Sequence, residues 1–279
     1  NNAESLIVNN TLISTNIGIY AQLASPIIRD NKIKSNSKGI YLRVANAGIE
    51  RNLLENNAYG IFSIYSNLSV VKNTIKDNTV WGIHAGDCNL YLENNLFEGT
   101  NFIRQDRTLE IYVYDQHGPL NDVNITAVNA INEVVYSSNT GGVNFLSITL
   151  SVNSTCSNRT EWYSPYIVTF AKDADSYAVL VDLSKEAHIE LNITTFEISY
   201  PRNNEEVKGM LRVSGFAPEN ATITYCIDNG CWYYAGTGNW SFWIDTANLK
   251  NGAHTLTVKA NNNSLSISTN VNNNSGIIE

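Results

Sequence analysis

The chain has 279 residues, with 26 acidic and 18 basic side chains, a net charge of −8 and a pI near 5.0. Its basic residues are scattered, so it lacks the clustered positive surface that binds nucleic acid phosphates. No apolar run of about 18 residues occurs, which excludes a transmembrane helix within this sequence, and the length suits two or three domains.

The first third of the chain is built on a 21-residue repeat. Asparagine recurs at this spacing at Asn10, Asn31, Asn52, Asn73 and Asn94. Apolar residues keep the same period on either side, at Ile7, Ile28, Ile49, Val70 and Tyr91 and at Leu12, Ile33, Leu54, Ile75 and Leu96. A Gly-Ile step follows at Gly18, Gly39, Gly60 and, after one inserted residue, Gly82. Such regular repetition indicates a repeat architecture.

This period predicts the coil of a parallel β-helix. Each unit alternates short β-prone segments with Asn, Gly and Ser, and no 3.6-residue stripe occurs. Stacked coils place repeated residues above one another at about 4.8 Å, so the apolar columns should form one continuous core. Right-handed winding is expected for parallel crossovers.

The repeated asparagines are predicted to form a structural ladder. Stacked side-chain amides can each donate to the next carbonyl oxygen, and Asn tolerates turn conformations. A second column marks another predicted corner, at Thr15, Asn36, Asn57 and Asn78. Because a ladder uses up the amide groups, we expect these residues to bind no ligand.

The motif N-x-[IL] followed by Gly-Ile resembles the right-handed parallel β-helix repeats of carbohydrate-binding and sugar-hydrolysis type proteins, over residues 1–106. The resemblance implies the fold and says little about function. The 21-residue repeat has already begun at Ile7, and the chain starts at Asn1 without a signal peptide. We therefore expect a processed piece of a longer polypeptide. Residues 271–279 are predicted to be a polar linker or tail.

The pairing of the four cysteines indicates whether the protein lies in an oxidising or a reducing compartment. Cys226 and Cys231 bracket the turn sequence Ile-Asp-Asn-Gly, and a hairpin there would bring their Cβ atoms into disulfide range. Half of a zinc site is the alternative, although no second Cys or His pair lies nearby. We predict the disulfide and therefore an oxidising compartment. For Cys88 and Cys156, a pairing across domains and two free buried thiols both stay open.

The N-x-[ST] sequons are concentrated after the repeat. Eight of ten lie beyond residue 107, where 23 of the 41 asparagines occur. This contrast fits laddered Asn in the repeat and N-glycosylated Asn in the later domains. The glycosylation candidates are Asn9, Asn67, Asn124, Asn153, Asn158, Asn192, Asn220, Asn239, Asn262 and Asn273.

After Asp106 the repeat stops and short predicted strands alternate with polar turns. Their spacing predicts a β-sandwich over residues 107–195. The strands are predicted at 109–114, 123–128, 133–136, 143–149, 166–171, 178–183 and 188–193. The segments DQHGPLNDVNITAV, TGGVNF and YIVTFAKD resemble the carboxypeptidase regulatory-like domain family, which implies a non-catalytic sandwich typical of secreted proteins.

A second sandwich is predicted over residues 196–270. Trp240, Phe242 and Ile244 alternate with polar or exposed positions, so one face of that strand should be buried. The segments ISYPRNNEEVKGMLRVSGFA, ITYCIDNGCWYYAG and NWSFWIDTANLKNGAHTLTVKA resemble the prokaryotic Ig-like domains of archaeal and bacterial surface proteins. His254 is expected to serve turn or edge packing.

Catalytic and metal-binding patterns are weak. Asp77 and Glu98 are the best candidate carboxylate pair for sugar hydrolysis, but Ser14 and Ser35 share their column, which favours a solvated turn. The histidines are scattered at His84, His117, His188 and His254. Residues 172–175 offer two carboxylates, a poor calcium site. No cofactor is expected.

These features predict a structural protein and not an enzyme. The predicted function is that of a glycosylated extracellular subunit of a filament, appendage or surface layer, which self-associates. The resemblance to surface-protein domains implies an archaeal source. The motivating feature is the uncapped N-terminal edge of the β-helix, because open strand edges template further pairing. The alternatives are an adhesin or polysaccharide-binding surface protein and, third, a polysaccharide-degrading enzyme.

Overall fold

The computed structural model describes residues 5–157, 159–172, 175–185 and 187–273. Over these ranges the chain is all-β, with a single 3-10 turn at Thr246–Asn248. Its described residues form three successive hydrophobic cores. The predicted fold class, a parallel β-helix followed by two β-sandwiches, is confirmed. No helix in the described part of the chain is long and apolar enough to span a membrane.

The β-helix, called the rod here, has three parallel sheets. The first rod sheet contains β1 (Leu6–Val8), β4 (Ile27–Arg29), β7 (Asn46–Glu50), β10 (Asn67–Val71) and β13 (Asn89–Glu93). The second contains β2 (Thr11–Ile13), β5 (Lys32–Lys34), β8 (Leu53–Glu55), β11 (Thr74–Lys76) and β14 (Leu96–Glu98). The third contains β3 (Ile17–Gln22), β6 (Lys38–Arg43), β9 (Tyr59–Ile64), β12 (Trp81–Gly86) and β15 (Asn101–Asp115).

One aliphatic column from each sheet fills the interior of the rod. Ile28, Ile33 and Ile40 are fully buried, and so are their counterparts on the next two coils. The coils turn at three corners, each marked by a column of residues in the left-handed region. One of these columns comprises Asn9, Asp30, Arg51, Lys72 and Asn94, with φ between 52° and 56°. The repeat therefore fixes both the core and the corners.

One inserted residue changes the period from 21 to 22. Asn67 pairs with Asn46 on one side and with Asn89 on the other. The insertion is at Val80, because its N–H and that of Trp81 both donate to the carbonyl oxygen of Ala58, at 2.9 and 3.2 Å. The three columns therefore end at Leu92, Asn95 and Phe97. The predicted positions Tyr91, Asn94 and Leu96 are wrong, and all three are exposed.

Strand β15, called the junction strand, runs from the rod into the first sandwich without a break. Ile103–Asp106 pair in parallel with β12 in the third rod sheet. Further along, Leu109, Ile111 and Val113 are fully buried in the core of the sandwich. The predicted domain boundary at residue 106 thus falls inside one hydrogen-bonded strand.

The first sandwich packs two sheets over the core that contains Tyr166 and Phe170. Its first sheet extends the junction strand with β19 (Phe145–Cys156), β20 (Thr160–Trp162), β23 (His188–Asn192) and β16 (Gly118–Pro119). The second sheet has the order β18 (Val134–Asn139), β17 (Asn124–Val128), β21 (Tyr166–Lys172), β22 (Asp175–Val181).

The second sandwich has a three-stranded and a five-stranded sheet. The smaller sheet contains β24 (Glu197–Tyr200), β26 (Met210–Phe216) and β29 (Trp240–Asp245). The larger contains β25 (Glu205–Val207), β31 (Asn263–Val271), β30 (Gly252–Ala260), β27 (Thr222–Ile227) and β28 (Tyr233–Thr237). Trp240 and Ile244 are buried, Phe242 packs against them, and Trp243 is exposed, as the alternation predicts.

Candidate functional site

The asparagine ladder forms a closed set of hydrogen bonds inside the rod. The backbone N–H and Nδ2 of Asn31 donate to Oδ1 of Asn52, both at 3.0 Å. Asn52 donates in the same way to Asn73, at 2.8 and 3.0 Å. Nδ2 of Asn52 also donates to the carbonyl oxygen of Ile28 at 2.9 Å. Because these amides are satisfied internally, the ladder stabilises the coils and offers no group to a ligand.

The last rung of the ladder is Asn95 and not the predicted Asn94. Oδ1 of Asn95 accepts hydrogen bonds from the backbone N–H and Nδ2 of Asn73, at 2.9 and 3.0 Å. Asn94 is exposed at a left-handed corner. At the second corner, backbone N–H groups donate to the next side chain at 2.9 to 3.0 Å along Thr15, Asn36, Asn57 and Asn78.

Sequence reasoning missed a third ladder, which lies on the outer face of the first rod sheet. Nδ2 of Asn67 donates to Oδ1 of Asn46 at 2.7 Å, and Nδ2 of Asn89 donates to Oδ1 of Asn67 at 2.8 Å. These amides border an open groove of about 560 Å³, which Ser69 and Tyr91 also line. The spacing of Asn46, Asn67 and Asn89 indicates this ladder in the sequence once the inserted residue before Asn89 is counted.

The predicted carboxylate pair of Asp77 and Glu98 does not lie in one column. The insertion places Glu98 opposite Lys76, while Gly99 lies beside Asp77, where an added Cβ would be 3.4 Å from the Asp77 backbone nitrogen. Glu98 therefore belongs to an outer column of alternating charge that runs Lys34, Glu55, Lys76, Glu98. Alternating charges on neighbouring strands stabilise a solvated sheet surface.

The histidines lie apart, and His254 has a clear structural role. Nδ1 of His254 hydrogen-bonds to the carboxylate of Asp228, and Nε2 donates to the carbonyl oxygen of Lys250 at 2.7 Å. Both partners are acceptors, so the ring satisfies both only when both of its nitrogens carry a proton. The Lys250 carbonyl and then Asp228 raise the pKa of His254. When both ring nitrogens are protonated, His254 connects the two loops.

The remaining histidines pair with carboxylates in different places. His84 contacts Asp106 at 2.7 Å, His117 contacts Glu197 at 2.8 Å, and His188 lies 3.6 Å from Glu190. In the described ranges, no group of three His, Cys, Asp or Glu side chains could hold a metal ion. The weak calcium candidate at 172–175 includes residues outside the described ranges.

A buried ionic network lies at the junction strand, and sequence reasoning missed it. Asp106 is 8% exposed and accepts hydrogen bonds from Arg104 Nε at 3.0 Å and Ser151 Oγ at 2.9 Å, while His84 Nε2 lies 2.7 Å away. Burial raises the pKa of Asp106, but the hydrogen bond to His84 and the charge of Arg104 outweigh it, so the pKa is lowered. The network fixes the last rung of the rod against strand β19.

The disulfide predicted between Cys226 and Cys231 is not formed. Cys226 is buried in β27, whereas Cys231 is exposed on the returning arm. The turn closes with Gly230 N–H donating to Ile227 O at 2.8 Å, yet Tyr225 pairs with Tyr233. The returning arm therefore contains one extra residue, which removes the direct opposition that a disulfide needs.

The other two thiols are also free. Cys88 is buried at the third corner of the rod, where its Sγ contacts Gly86 O at 3.1 Å. Burial raises the pKa of Cys88, so the thiol stays protonated and fills space in the corner. Cys156 is half-buried beside Asn101 in the junction.

The candidate asparagines of the N-x-[ST] sequons differ in their exposure to solvent. Asn153 is buried with its Nδ2 donating to Gln105 Oε1 at 2.8 Å, and Nδ2 of Asn273 donates to Thr246 O at 2.6 Å. Asn158 lies outside the described residues. The exposed candidates are Asn9, Asn67, Asn124, Asn192, Asn220, Asn239 and Asn262.

Comparison with known proteins supports the assignment of the rod. Residues 1–102 match the family described as the right handed beta helix region. The coils and this match together identify the rod as a right-handed parallel β-helix. No curated protein matches the chain.

Similar solved structures are distant. An endo-beta-1,4-mannanase from Thermotoga petrophila is 20% identical, over 28% of this chain and 20% of that chain, with a TM-score of 0.25. The BSP domain of a biofilm associated protein is 12% identical, over 55% and 25%, at 0.21. The shaft pilin spaA from Lactobacillus rhamnosus GG is 11% identical, over 63% and 100%, at 0.25. The chain thus spans a quarter or less of the first two proteins, and these similarities carry no functional conclusion.

Proposed function

We propose that the chain is a non-enzymatic structural module of an extracellular surface assembly, and a segment of a longer glycosylated protein. The observation that carries this proposal is the junction strand, which belongs to the rod and to the first sandwich. Strand β19 pairs with it from Asn101 to Tyr112. The rod and the first sandwich therefore share one sheet and have no linker between them, which suits a rigid spacer.

The second sandwich is also held at its joint. Nε2 of Gln116 donates to Oγ1 of Thr195 at 3.1 Å, and the N–H of Thr195 donates back to Oε1 of Gln116 at 3.1 Å. His117 contacts Glu197 beside them at 2.8 Å. These contacts limit rotation between the two sandwiches, which suits a rigid stalk.

The extracellular location is proposed from the sequons and the module types. Six exposed asparagines besides Asn124 could carry glycans, and they lie on the rod and on both sandwiches. We propose a carboxypeptidase regulatory-like sandwich at 107–195 and a prokaryotic Ig-like sandwich at 196–270, as in archaeal surface proteins.

Assembly by stacking one rod directly on another is restricted. Strands β1, β2 and β3 lie at the edges of their sheets on one end of the rod. At the other end, β19 already pairs with the junction strand, in the place that a further coil of the third rod sheet would take. Direct stacking along the third rod sheet is therefore blocked at this end, and other surfaces must contribute to an assembly.

The proposal is tested by locating the protein and assaying it. Immunogold electron microscopy of the native host should label the outer cell surface in a repeating pattern. The purified chain should release no sugar from polysaccharides. Cytoplasmic labelling would contradict the proposal, and so would polysaccharide cleavage that is lost in an Asp77→Asn variant.

An adhesin is the second candidate, because of the groove beside the outer asparagine ladder. Exposed amides and an aromatic ring are groups that bind sugar hydroxyls and stack on sugar rings. In this case Tyr91→Ala should abolish binding on a glycan array. Tyr65→Ala is the matched control, since Tyr65 is 56% exposed at a corner outside the groove lining and Tyr91 is 57% exposed. Equal binding by both variants would remove the groove from consideration.

A further inference from the structure

The second sheet of the first sandwich has an unusual outer face. Four aliphatic residues form a row across its strands, because Val134 pairs with Val128, Val128 with Ile167, and Ile167 with Leu180. Val134, Ile167 and Leu180 are 64%, 48% and 68% exposed. Such a contiguous apolar row on a sheet face indicates an interaction surface.

The same face carries no charge over its three outward rows. The second row is Ser137, Thr126, Thr169 and Ala178, and the third is Asn139, Asn124, Ala171 and Ser176. The second rod sheet, in contrast, has alternating lysine and glutamate on its outer column. In a chain of net charge −8, an uncharged face is where two copies can meet without burying like charges.

We propose that this face, called the uncharged face, is a contact between two copies of this chain. A two-fold axis across the row, parallel to the strands and through the centre of the row, lays all three rows onto themselves. Leu180 of one copy then faces Val134 of the other, Val128 faces Ile167, and every pairing within the row joins aliphatic side chains. Depletion of charge at an apolar centre is typical of homomeric contacts.

The size of the uncharged face determines how strong a contact between two copies is expected to be. Four strands at about 4.8 Å and three rows at about 6.8 Å give about 400 Å² per copy. A standard stable interface buries about 800 Å² per partner. The contact is therefore weak between free molecules, and it becomes effective between neighbours whose local concentration an assembly raises. The inference deepens the proposed assembly role, and it rests on that role only for the raised local concentration.

Sedimentation equilibrium of the full chain tests the contact. The protein is made in a host that adds no N-linked glycans, because Asn124 lies in the third row of the face. A concentration-dependent dimer is expected between micromolar and millimolar protein. Leu180→Lys should lower the association constant at least tenfold. Met210→Lys, the matched control at 61% exposure on the second sandwich, should not change it.

A charge-rescue experiment checks that two copies meet at the face. Leu180→Lys and Val134→Glu should each stay monomeric alone, while an equal mixture should associate, since the lysine of one copy then meets the glutamate of the other. Unchanged melting temperatures show that the variants fold. A wild-type monomer at millimolar concentration, or equal loss in Leu180→Lys and Met210→Lys, overturns the inference. Surface labelling of the native host would still support the proposed function in that event, so the two failures are distinguishable.

Discussion

Removing a central rung of the asparagine ladder should locally destabilise the rod. In Asn52→Ala, the buried N–H of Asn31 loses its acceptor and the carbonyl oxygen of Ile28 loses its donor. Asn52 is 2% exposed, so water does not replace these partners. Leaving a buried polar group unpaired costs about 1 to 3 kcal/mol, so two such groups cost about 4 kcal/mol.

Hydrogen exchange of the full chain, followed by mass spectrometry, measures this effect locally. A loss of about 4 kcal/mol corresponds to roughly thousand-fold faster exchange where local opening controls it. Peptides of the rod should show this change, while peptides of the second sandwich should not. Asn10→Ala is the control, because Asn10 is exposed at the end of the ladder. An effect of Asn52→Ala no larger than that of Asn10→Ala would refute the reasoning.

Three further predictions concern the coils and the second sandwich. Asn95→Ala should lower the free energy of unfolding in urea by about 3 kcal/mol, because it leaves buried partners unpaired. Asn94→Ala should lower it by only about 1 kcal/mol, from strain in the left-handed backbone. A larger loss in Asn94→Ala than in Asn95→Ala would support the ladder without the one-residue shift. Gly60→Ala should lower the melting temperature by several degrees, because an added Cβ would lie 2.5 Å from a carbonyl oxygen of the next coil, whereas Gly48→Ala meets nothing within 4 Å and should be neutral. His254 has a raised pKa, so its stabilising contribution is full below about pH 6.5 and is lost as the pH rises through the folded-state pKa. Unfolding of His254→Gln should lack this alkaline loss, and an unchanged pH profile would count against the cationic form.

The sequence predicted the regular part of the rod because each coil repeats the same local pattern. Columns such as Ile28 and Ile49 depend only on spacing, and stacking preserves that spacing. The predicted positions on the last coil were wrong because the insertion at Val80 shifts every later residue by one. The Gly82 step shows this shift, but the same shift also applies to the ladder residue, which is Asn95.

Features made by distant residues could not be predicted in this way. The ionic network brings together His84, Asp106 and Ser151, whose positions have no common period. The uncharged face depends on the pairing of four strands and on a bulge at Val135, between Val134 and Tyr136. One extra residue in the returning arm also separated Cys226 from Cys231, because turn chemistry predicts a hairpin without fixing the register beyond it.

Limited trypsin digestion tests the shared junction strand most directly. Arg104 and Arg107 both lie within β15, between the rod and the first sandwich. If the strand is continuous, cleavage after these arginines should occur no faster than global unfolding, while Arg159, whose side chain is 71% exposed, should be cut earlier. Early cleavage at Arg104 or Arg107 that releases an intact rod and intact sandwiches would show a flexible linker, and it would contradict the rigid spacer.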